Sequence, residues 1–210
     1  MYIDITFPIS KKLPKWPNSV GYEYNWLLSM PSSSNNLSSF SIDTHYGTHI
    51  DAPLHFINDG MPVNDIPLSK FFGKVYVLEA FGHKVITDSI LENYNIPEEC
   101  TKLILKTDNQ VYWLNNLTEF QEDFCSIDSS GASWIIDRKI DFIGIDYLSI
   151  QRYSDGPQTH QKLLENNVLI AECLNLEFVK QGFFELYCFP LNLFGLEGAP
   201  ARIILKNISN

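Results

Sequence analysis

Apolar residues occur along this chain mainly in short runs that are rich in β-branched and aromatic side chains. Runs of this length, bounded by polar and turn-forming residues, are typical of β-strands. The pattern predicts strands at residues 2–5, 39–42, 74–79, 102–106, 142–145, 168–171, 185–189 and 201–205. Helical spacing of apolar residues predicts helices at residues 87–94, 129–138, 159–166 and 174–181.

Two polar residues support the predicted helix boundaries. Asp128 directly precedes the second helix and is a suitable N-cap, while Asn167 follows the third helix and is a suitable stop. Strands outnumber helices, and the two alternate in the second half of the chain. We therefore predict a single α/β domain spanning residues 1–210, with a mixed sheet and helices packed on it.

Composition and charge exclude several classes of function and partner. The chain has 210 residues and a formal net charge of -10, without a basic stripe, so we expect neither nucleic acid nor an anionic membrane as a partner. No apolar run is long enough to cross a bilayer, and the N-terminus lacks a signal-peptide pattern. The four cysteines are widely spaced, without a Cys-x-x-Cys pair. We expect a cytoplasmic protein with reduced cysteines, of which Cys100 and Cys125 are exposed.

The most informative local feature is the run HYGTHIDAPLH, residues 45–55, which holds three of the five histidines. Imidazole and carboxylate are the ligand set of zinc and its first-row neighbours. A single histidine is usually an ordinary surface or core residue, but this cluster, with an aspartate inside it, indicates a metal site. The chemistry predicted is therefore metal-assisted.

Geometry limits how this run can fold around an ion. In a straight strand, His45 and His49 would lie roughly 13 Å apart, too far to share one ion through bonds of about 2 Å. A helical turn or tight kink brings such a pair within about 6 Å, and Gly47 permits a kink. We predict a kinked loop or single helical turn, not a flat strand, with His45, His49 and Asp51 on the ion. His55 then faces the site without being a ligand.

Three further polar residues follow or open predicted elements. Asp146 ends an apolar strand, at the edge where α/β sheets commonly bind ligands, although it could equally cap a turn. Glu172 also ends an apolar strand, where a carboxylate is costly unless it is paired or bound to a cation. His160 opens the third predicted helix. From residue types alone, His160 and Glu172 could be structural or could bind metal.

The run His-x-Gly-Thr-His-x-Asp-x-Pro-x-His resembles the signature of the cyclase family of metal-dependent hydrolases, which includes bacterial kynurenine formamidases (arylformamidases) and isatin hydrolases. The resemblance continues in family order over most of the chain. Its pieces are Asp4, Trp16-Pro17, residues 142–146, residues 160–164, residues 170–174, Pro190-Leu191 and residues 198–202.

This resemblance implies a compact α/β fold with a mixed, partly barrel-like central sheet, assembled as a homodimer or homotetramer. It implies one or two divalent ions per subunit, Zn²⁺ or alternatively Mn²⁺. His45, His49 and Asp51 would hold one ion, and Asp51 would bridge to a second ion held by His160 and Glu172. His55 corresponds to the general acid/base of the family.

The implied activity is hydrolysis of a small, aromatic amide, with conversion of N-formylkynurenine to kynurenine and formate, a step of tryptophan catabolism, as the leading candidate. Trp16, Tyr46 and Phe56 are candidates to contact the aromatic ring, although each could be ordinary packing. The chain departs from the kynurenine formamidase pattern at Asn18-Ser19 and at residues 147–151. Because these residues are candidates to line the pocket, an isatin hydrolase-like activity on a cyclic amide is the alternative.

Two other classes remain open. His45, His49 and Asp51 also form the two-histidine, one-carboxylate set of non-haem iron oxygenases. A non-catalytic binding protein of the same fold is a further alternative. Metal analysis with oxygen uptake would distinguish an oxygenase from a hydrolase, and turnover of a substrate would distinguish a hydrolase from a binding protein.

Overall fold

The computed structural model describes residues 1–208 and shows strands and helices in alternation. The strands within this range are β1 (Tyr2–Asp4), β2 (Tyr22–Leu28), β3 (Leu37–Ile42), β4 (His49–Asp51), β5 (Phe72–Glu79), β6 (Val85–Ile86), β7 (Lys102–Lys106), β8 (Ser126–Ile127), β9 (Phe142–Ile145), β10 (Leu169–Glu172), β11 (Gly182–Pro190) and β12 (Gly198–Asn207). The α-helices are α1 (Asp88–Glu92), α2 (Gln110–Leu114), α3 (Ser129–Asp137) and α4 (Gln158–Glu165). Short 3₁₀ helices cover Pro53–His55, Val63–Asp65 and Leu68–Phe71.

Seven strands close into a barrel-like ring in the order β12-β11-β5-β7-β9-β10-β4, and β4 pairs back onto β12. Strands β5, β7, β9 and β10 run parallel, and the other pairs of the ring are antiparallel. Closure depends on the length of β12, because its residues 198–200 pair with β4 while residues 201–207 pair with β11. The predicted mixed, partly barrel-like α/β fold is confirmed.

The apolar runs of the parallel strands pack on both faces of the sheet. In β9, Phe142 belongs to the core inside the barrel, whereas Ile143 packs in a second core under the helices. In β10, Ala171 and Ile170 divide between the two cores in the same way. A parallel strand that is buried on both faces has a continuous hydrophobic run in its sequence. This explains why these strands could be predicted.

Strands β2 and β3 form a separate two-stranded sheet outside the barrel. Most of its residues are exposed, including Tyr24, Trp26, Leu27 and Phe40. We call residues 22–42 the hairpin. Only its second strand was predicted from the sequence, because Asn25 and Glu23 interrupt the apolar pattern of the first.

All eight predicted strands are present, with boundaries that differ by a few residues, and three of the four predicted helices form. The predicted helix caps are also confirmed. The Asp128 carboxylate accepts hydrogen bonds from the backbone N–H groups of Ser130 and Gly131, both at 2.9 Å. Asn167 adopts a left-handed conformation (φ 57°) just beyond α4.

The predicted helix at residues 174–181 is wrong. Leu174 forms an antiparallel bridge with Thr6, and the N–H groups of Leu174 and Asn175 donate to the carbonyls of Ile145 and Ile5, before a turn at residues 177–178. The apolar side chains of Leu174, Leu176 and Val179 instead extend into the barrel core. The chain therefore gains burial without forming a helix.

Two further observations bear on the sequence predictions. All four cysteines are free and buried, so the expected exposure of Cys100 and Cys125 is wrong; their side chains pack in or beside the core under the helices. Among the described helices, none has the length and apolarity required to cross a membrane.

Candidate metal centre

The residues of the histidine run are positioned by a turn followed by a strand. Gly47 has φ of +70°, which turns the chain between His45 and His49 and brings their ring centroids to 5.0 Å. The predicted kink is therefore present, but residues 49–51 form strand β4, and the prediction that excluded a strand is wrong for them. Because side chains alternate along a strand, His49 and Asp51 share one face, and Ile50 enters the barrel core.

Pairing of β4 with β10 brings the distant carboxylate into the same place. Glu172 lies directly opposite His49 in the antiparallel register. His160 reaches the cluster from the first turn of α4, and its Nε2 lies 3.1 Å from Glu172 Oε1 and 3.5 Å from Asp51 Oδ2. The barrel closure thus brings together five residues from three separate parts of the chain.

The five side chains form two overlapping groups. His45, His49 and Asp51 make one group, and Asp51, His160 and Glu172 make the other; within each group one candidate ligand atom per residue lies within 4.8 Å of the others. Asp51 belongs to both groups. This arrangement matches the division of ligands that the family resemblance implied.

Three polar atoms in the cluster are buried without a hydrogen-bond partner in residues 1–208: His45 Nε2, His49 Nε2 and Asp51 Oδ2. Native proteins rarely bury such atoms unpaired. The Nδ1 of His49 donates to the Gly47 carbonyl at 2.8 Å, so its Nε2 is left with a lone pair directed into the cluster. These residues therefore fit a divalent cation, which would satisfy all three atoms.

The electrostatics of the cluster favour positive charge. Burial opposes protonation of His49, but the attraction of the Asp51 and Glu172 carboxylates, 3.3 and 3.4 Å from its Nε2, raises its pKa to about 10. Burial likewise opposes ionisation of Asp51, yet its hydrogen bond with His45 and its contact with His49 hold its pKa well below the usual range. The carboxylates of Asp51 and Glu172, both almost fully buried, thus stay ionised and would attract a cation.

His55 lies beside the cluster, on the 3₁₀ helix Pro53–His55. Its ring stacks on His45 with centroids 3.9 Å apart, and its centroid lies 6.3 Å from that of His160. Burial lowers the pKa of His55 to about 4, against the attraction of Asp51, so its imidazole is neutral at pH 7. His55 can therefore accept a proton.

A cavity of about 550 Å³ opens onto this cluster. Trp16 and Phe56 line it, as expected for residues that contact a substrate. Phe56 also stacks on His160, with ring centroids 4.6 Å apart, and so helps to orient that imidazole. Tyr46 lies elsewhere: it is buried, and its hydroxyl donates to the carbonyls of Ser10 and Leu13, so it anchors the N-terminal segment instead.

Sequence reasoning named Gln151 as a candidate to line the pocket, but it missed the role of Gln151 and missed Glu197 and Arg152 altogether. The Gln151 Oε1 accepts from His160 Nδ1 and from the backbone N–H groups of Thr159 and His160, at 3.2–3.3 Å, so it fixes the ring and the start of α4. Glu197 Oε1 lies 3.4 Å from His45 Nε2. Arg152 also lines the cavity. The departure of residues 147–151 from the family pattern was the one signal that pointed toward this loop.

Asp146 is a structural residue in this arrangement. Its carboxylate is fully buried and accepts hydrogen bonds from the Thr107 N–H and hydroxyl and from the Gln110 amide, at 2.7–2.8 Å. It thus ties the loop before α2 to the end of β9. Of the two interpretations left open by the sequence, the turn-holding one is supported.

The statistical model of the Cyclase family matches residues 3–152, which include the histidine run. This chain belongs to the Cyclase family. Among its relatives, Cyclase-like protein 3 of Arabidopsis thaliana is 34% identical over 96% of this chain and 78% of its own length. The kynurenine formamidase of Bacillus cereus (strain ATCC 10987 / NRS 248) is 29% identical and covers 99% of this chain and 98% of its own.

The fold of this Cyclase-family chain is also similar to solved structures. One of them, described as a "Potential Metal-Dependent Hydrolase With Cyclase Activity", superposes with a TM-score of 0.86 at 29% identity, covering 100% of this chain and 99% of its own. The relationship therefore covers the whole barrel, including the cluster built by β4, β10 and α4.

Proposed function

We propose that this protein is a metal-dependent amidohydrolase, and that its leading activity is that of an arylformamidase, which converts N-formylkynurenine to kynurenine and formate. The observation that carries the proposal is the pair of ligand groups sharing Asp51, with His55 beside them on the cavity wall. The relationship to a kynurenine formamidase supports it.

The residues suit hydrolysis of an amide. His45, His49 and Asp51 would hold one divalent ion, Zn²⁺ or alternatively Mn²⁺, and Asp51, His160 and Glu172 a second. A bound ion of this kind lowers the pKa of water from 15.7 to about 7 and polarises a carbonyl oxygen. His55 accepts the proton of the attacking water and returns it to the nitrogen that leaves as the C–N bond breaks.

The cavity wall suits an aromatic substrate. Trp16 is partly exposed and packs edge-to-face against Tyr153 and Phe120, with ring centroids 5.4 and 4.9 Å away. Aromatic rings favour such edge-to-face and offset contacts with a further ring. Trp16 and Phe56 would therefore hold the aryl group, with its amide directed toward the histidine cluster.

The second ligand group, Asp51, His160 and Glu172, bears on the alternative functions. An iron oxygenase of the two-histidine, one-carboxylate type needs only His45, His49 and Asp51, so the convergence of His160 and Glu172 on Asp51 favours the hydrolase. A binding protein has no need of the neutral His55. An isatin hydrolase-like activity uses the same groups on a cyclic amide and is distinguished only by substrate.

A substrate screen tests the proposal. Purified protein would be assayed with added Zn²⁺ or Mn²⁺ on N-formylkynurenine, formanilide and isatin, with oxygen uptake followed in parallel. We expect release of formate from the two formamides, without oxygen consumption. Turnover of isatin alone would favour the cyclic-amide activity, and oxygen consumption or no turnover would contradict the hydrolase.

We further propose that the protein forms a homodimer or a dimer of dimers through the hairpin. A two-stranded sheet is marginally stable alone in water, and Trp26 and Phe40 of this one are about 60% exposed (59% and 62%). A second copy of the chain would cover both. The small-molecule amide is the other expected partner, and we expect no nucleic acid or membrane partner.

A further inference from the structure

Arg152 is the arginine that the fold leaves without a hydrogen bond. The chain has three arginines, all of them in the described part. Arg138 donates to the carbonyls of Ile96 and Pro97, and Arg202 donates to Asp4. The guanidinium of Arg152 makes no hydrogen bond to any residue from 1 to 208, and its nearest carboxylate, Asp155, is 3.9 Å away.

The guanidinium of Arg152 lies at the same cavity as the candidate metal centre. Arg152 lines the same cavity as Trp16 and His55, and it directly follows Gln151, which holds His160. Apart from the histidines, it is the only basic side chain among the cavity-lining residues in the described part of the chain. Its side chain is 42% exposed, which places it at the mouth of the cavity that it lines.

The acidic residues nearby leave Arg152 available. Asp43 is already paired with the segment before β2, where it accepts hydrogen bonds from the Gly21 N–H and the Ser19 hydroxyl. Asp155 is itself 37% exposed, and an exposed pair separated by 3.9 Å contributes little. A carboxylate that offers two oxygens to the planar guanidinium would form a stronger, bidentate contact.

We infer that Arg152 is a specificity residue that selects substrates carrying a carboxylate. In this arrangement the aryl group rests on Trp16, the scissile amide faces the histidine cluster, and the carboxylate pairs with Arg152 at the mouth. The substrate class is therefore an anionic aryl amide, and neutral aryl amides are poorer substrates. This inference rests on the proposed function for its substrate, but the anion contact can be measured without turnover.

The turnover test compares two matched substrates, N-formyl-3-aminobenzoate and its neutral analogue N-formyl-3-aminobenzamide. For Arg152→Gln we expect KM for the benzoate to rise about tenfold, the lower range for a charge-assisted contact, because Arg152 is partly exposed. KM for the benzamide should change less than about twofold. Asp155→Asn should change KM for the benzoate by less than about twofold, because the exposed pair that Asp155 makes with Arg152 contributes little. Arg138→Gln serves as the control and should change neither.

The binding test is independent of catalysis. Benzoate and benzamide would be titrated into the metal-loaded protein, with its tryptophan fluorescence as the signal, in the parent and in Arg152→Gln. We expect benzoate to bind about tenfold more weakly to the variant and benzamide equally to both, with unchanged metal content. An unchanged benzoate Kd, or an equal loss for both ligands, would overturn the role of Arg152. If no amide is hydrolysed but benzoate binding still depends on Arg152, the proposed function fails and the anion site stands.

Discussion

Strand β4 and the two strands of the hairpin are all short and pair in antiparallel fashion. They nevertheless differ in burial: β4 buries polar residues, whereas the hairpin exposes apolar ones. All three residues of β4 are buried although two of them, His49 and Asp51, are polar. The hairpin exposes most of its residues although Trp26, Leu27 and Phe40 are large and apolar. Buried polar groups and exposed apolar patches are the informative exceptions to ordinary burial.

The comparison teaches that each exception indicates a different binding partner. A cation would satisfy the unpaired, buried nitrogen and oxygen atoms at β4, whereas another protein surface would cover the apolar residues of the hairpin. The two regions should therefore respond to different perturbations. Changes at the metal centre should alter chemistry and metal content, and changes at the hairpin should alter assembly.

The largest expected effect separates proton transfer from metal binding. His55→Ala should lower kcat by about 10²–10⁴-fold, the usual contribution of a general acid/base, while metal content stays at the parental level. Glu172→Ala should instead lose metal from the second group, and excess ion should recover part of its activity. Metal titration of both variants, with formamide hydrolysis as the assay, checks this contrast. Rescue of His55→Ala by excess metal would make His55 a ligand.

The next effect concerns the ligands themselves. His49→Ala removes a buried nitrogen that has no other partner in the described residues, so metal affinity should fall by more than the roughly 10–100-fold typical of outer-shell changes. Elemental analysis of the purified proteins measures it. His83→Ala is the matched control, because His83 lies near Tyr94, away from the cavity. Equal metal content in His49→Ala and the parent would refute the site.

Metal removal should lower stability by mass action. A ligand present at 100 times its Kd stabilises the folded state by about 2.7 kcal/mol. For a domain of this size that corresponds to a fall in Tm of about 5–10 °C on chelation. Thermal unfolding, before and after verified metal removal and after Zn²⁺ or Mn²⁺ is added back, tests this. The Tm of His49→Ala should respond much less, and an unaltered parental Tm would contradict metal binding at β4.

A smaller effect should follow from the close approach of β12 to the histidine run. A Cβ at Gly198 would lie 2.7 Å from His45 Cε1 and 2.8 Å from the Ile50 carbonyl oxygen. Gly198→Ala should therefore displace His45, weaken metal binding and destabilise the fold by about 1–3 kcal/mol. Gly156→Ala is the control, since its Cβ would meet only the flexible end of Gln158. Denaturant unfolding and metal analysis of both variants would show whether the contact matters.

The smallest effect on the folded subunit is expected at the hairpin. Trp26→Ser should shift the protein toward the 24.1 kDa monomer, with little change in Tm or metal content, because Trp26 is 59% exposed in the single chain. Light scattering after size exclusion measures the mass. Phe178→Ser is the control, because Phe178 is even more exposed but lies outside the hairpin. A parent that is itself monomeric would contradict assembly through this surface.

Much of the fold could be predicted from the sequence because its signals are local. The buried strands β7 and β9 are short runs dominated by leucine, isoleucine and phenylalanine, and Asp128 caps the helix that follows it. The candidate ligands His45, His49 and Asp51 were likewise recognisable, because three residues of suitable type occur within seven positions. Residue type and short spacing are properties that the sequence carries by itself.

Other features were decided only by the tertiary structure. The segment 174–181 has helical spacing but is irregular, because Leu174 bridges to Thr6 and its apolar side chains pack in the barrel core. His49–Asp51 forms a strand because β10 and β12 lie on either side of it.

The same limit applies to the site. Barrel closure brings Glu172 opposite His49, and Arg152 could not be singled out until its lack of a hydrogen-bond partner was visible. These outcomes depend on contacts between residues far apart in the chain, which local residue patterns do not encode.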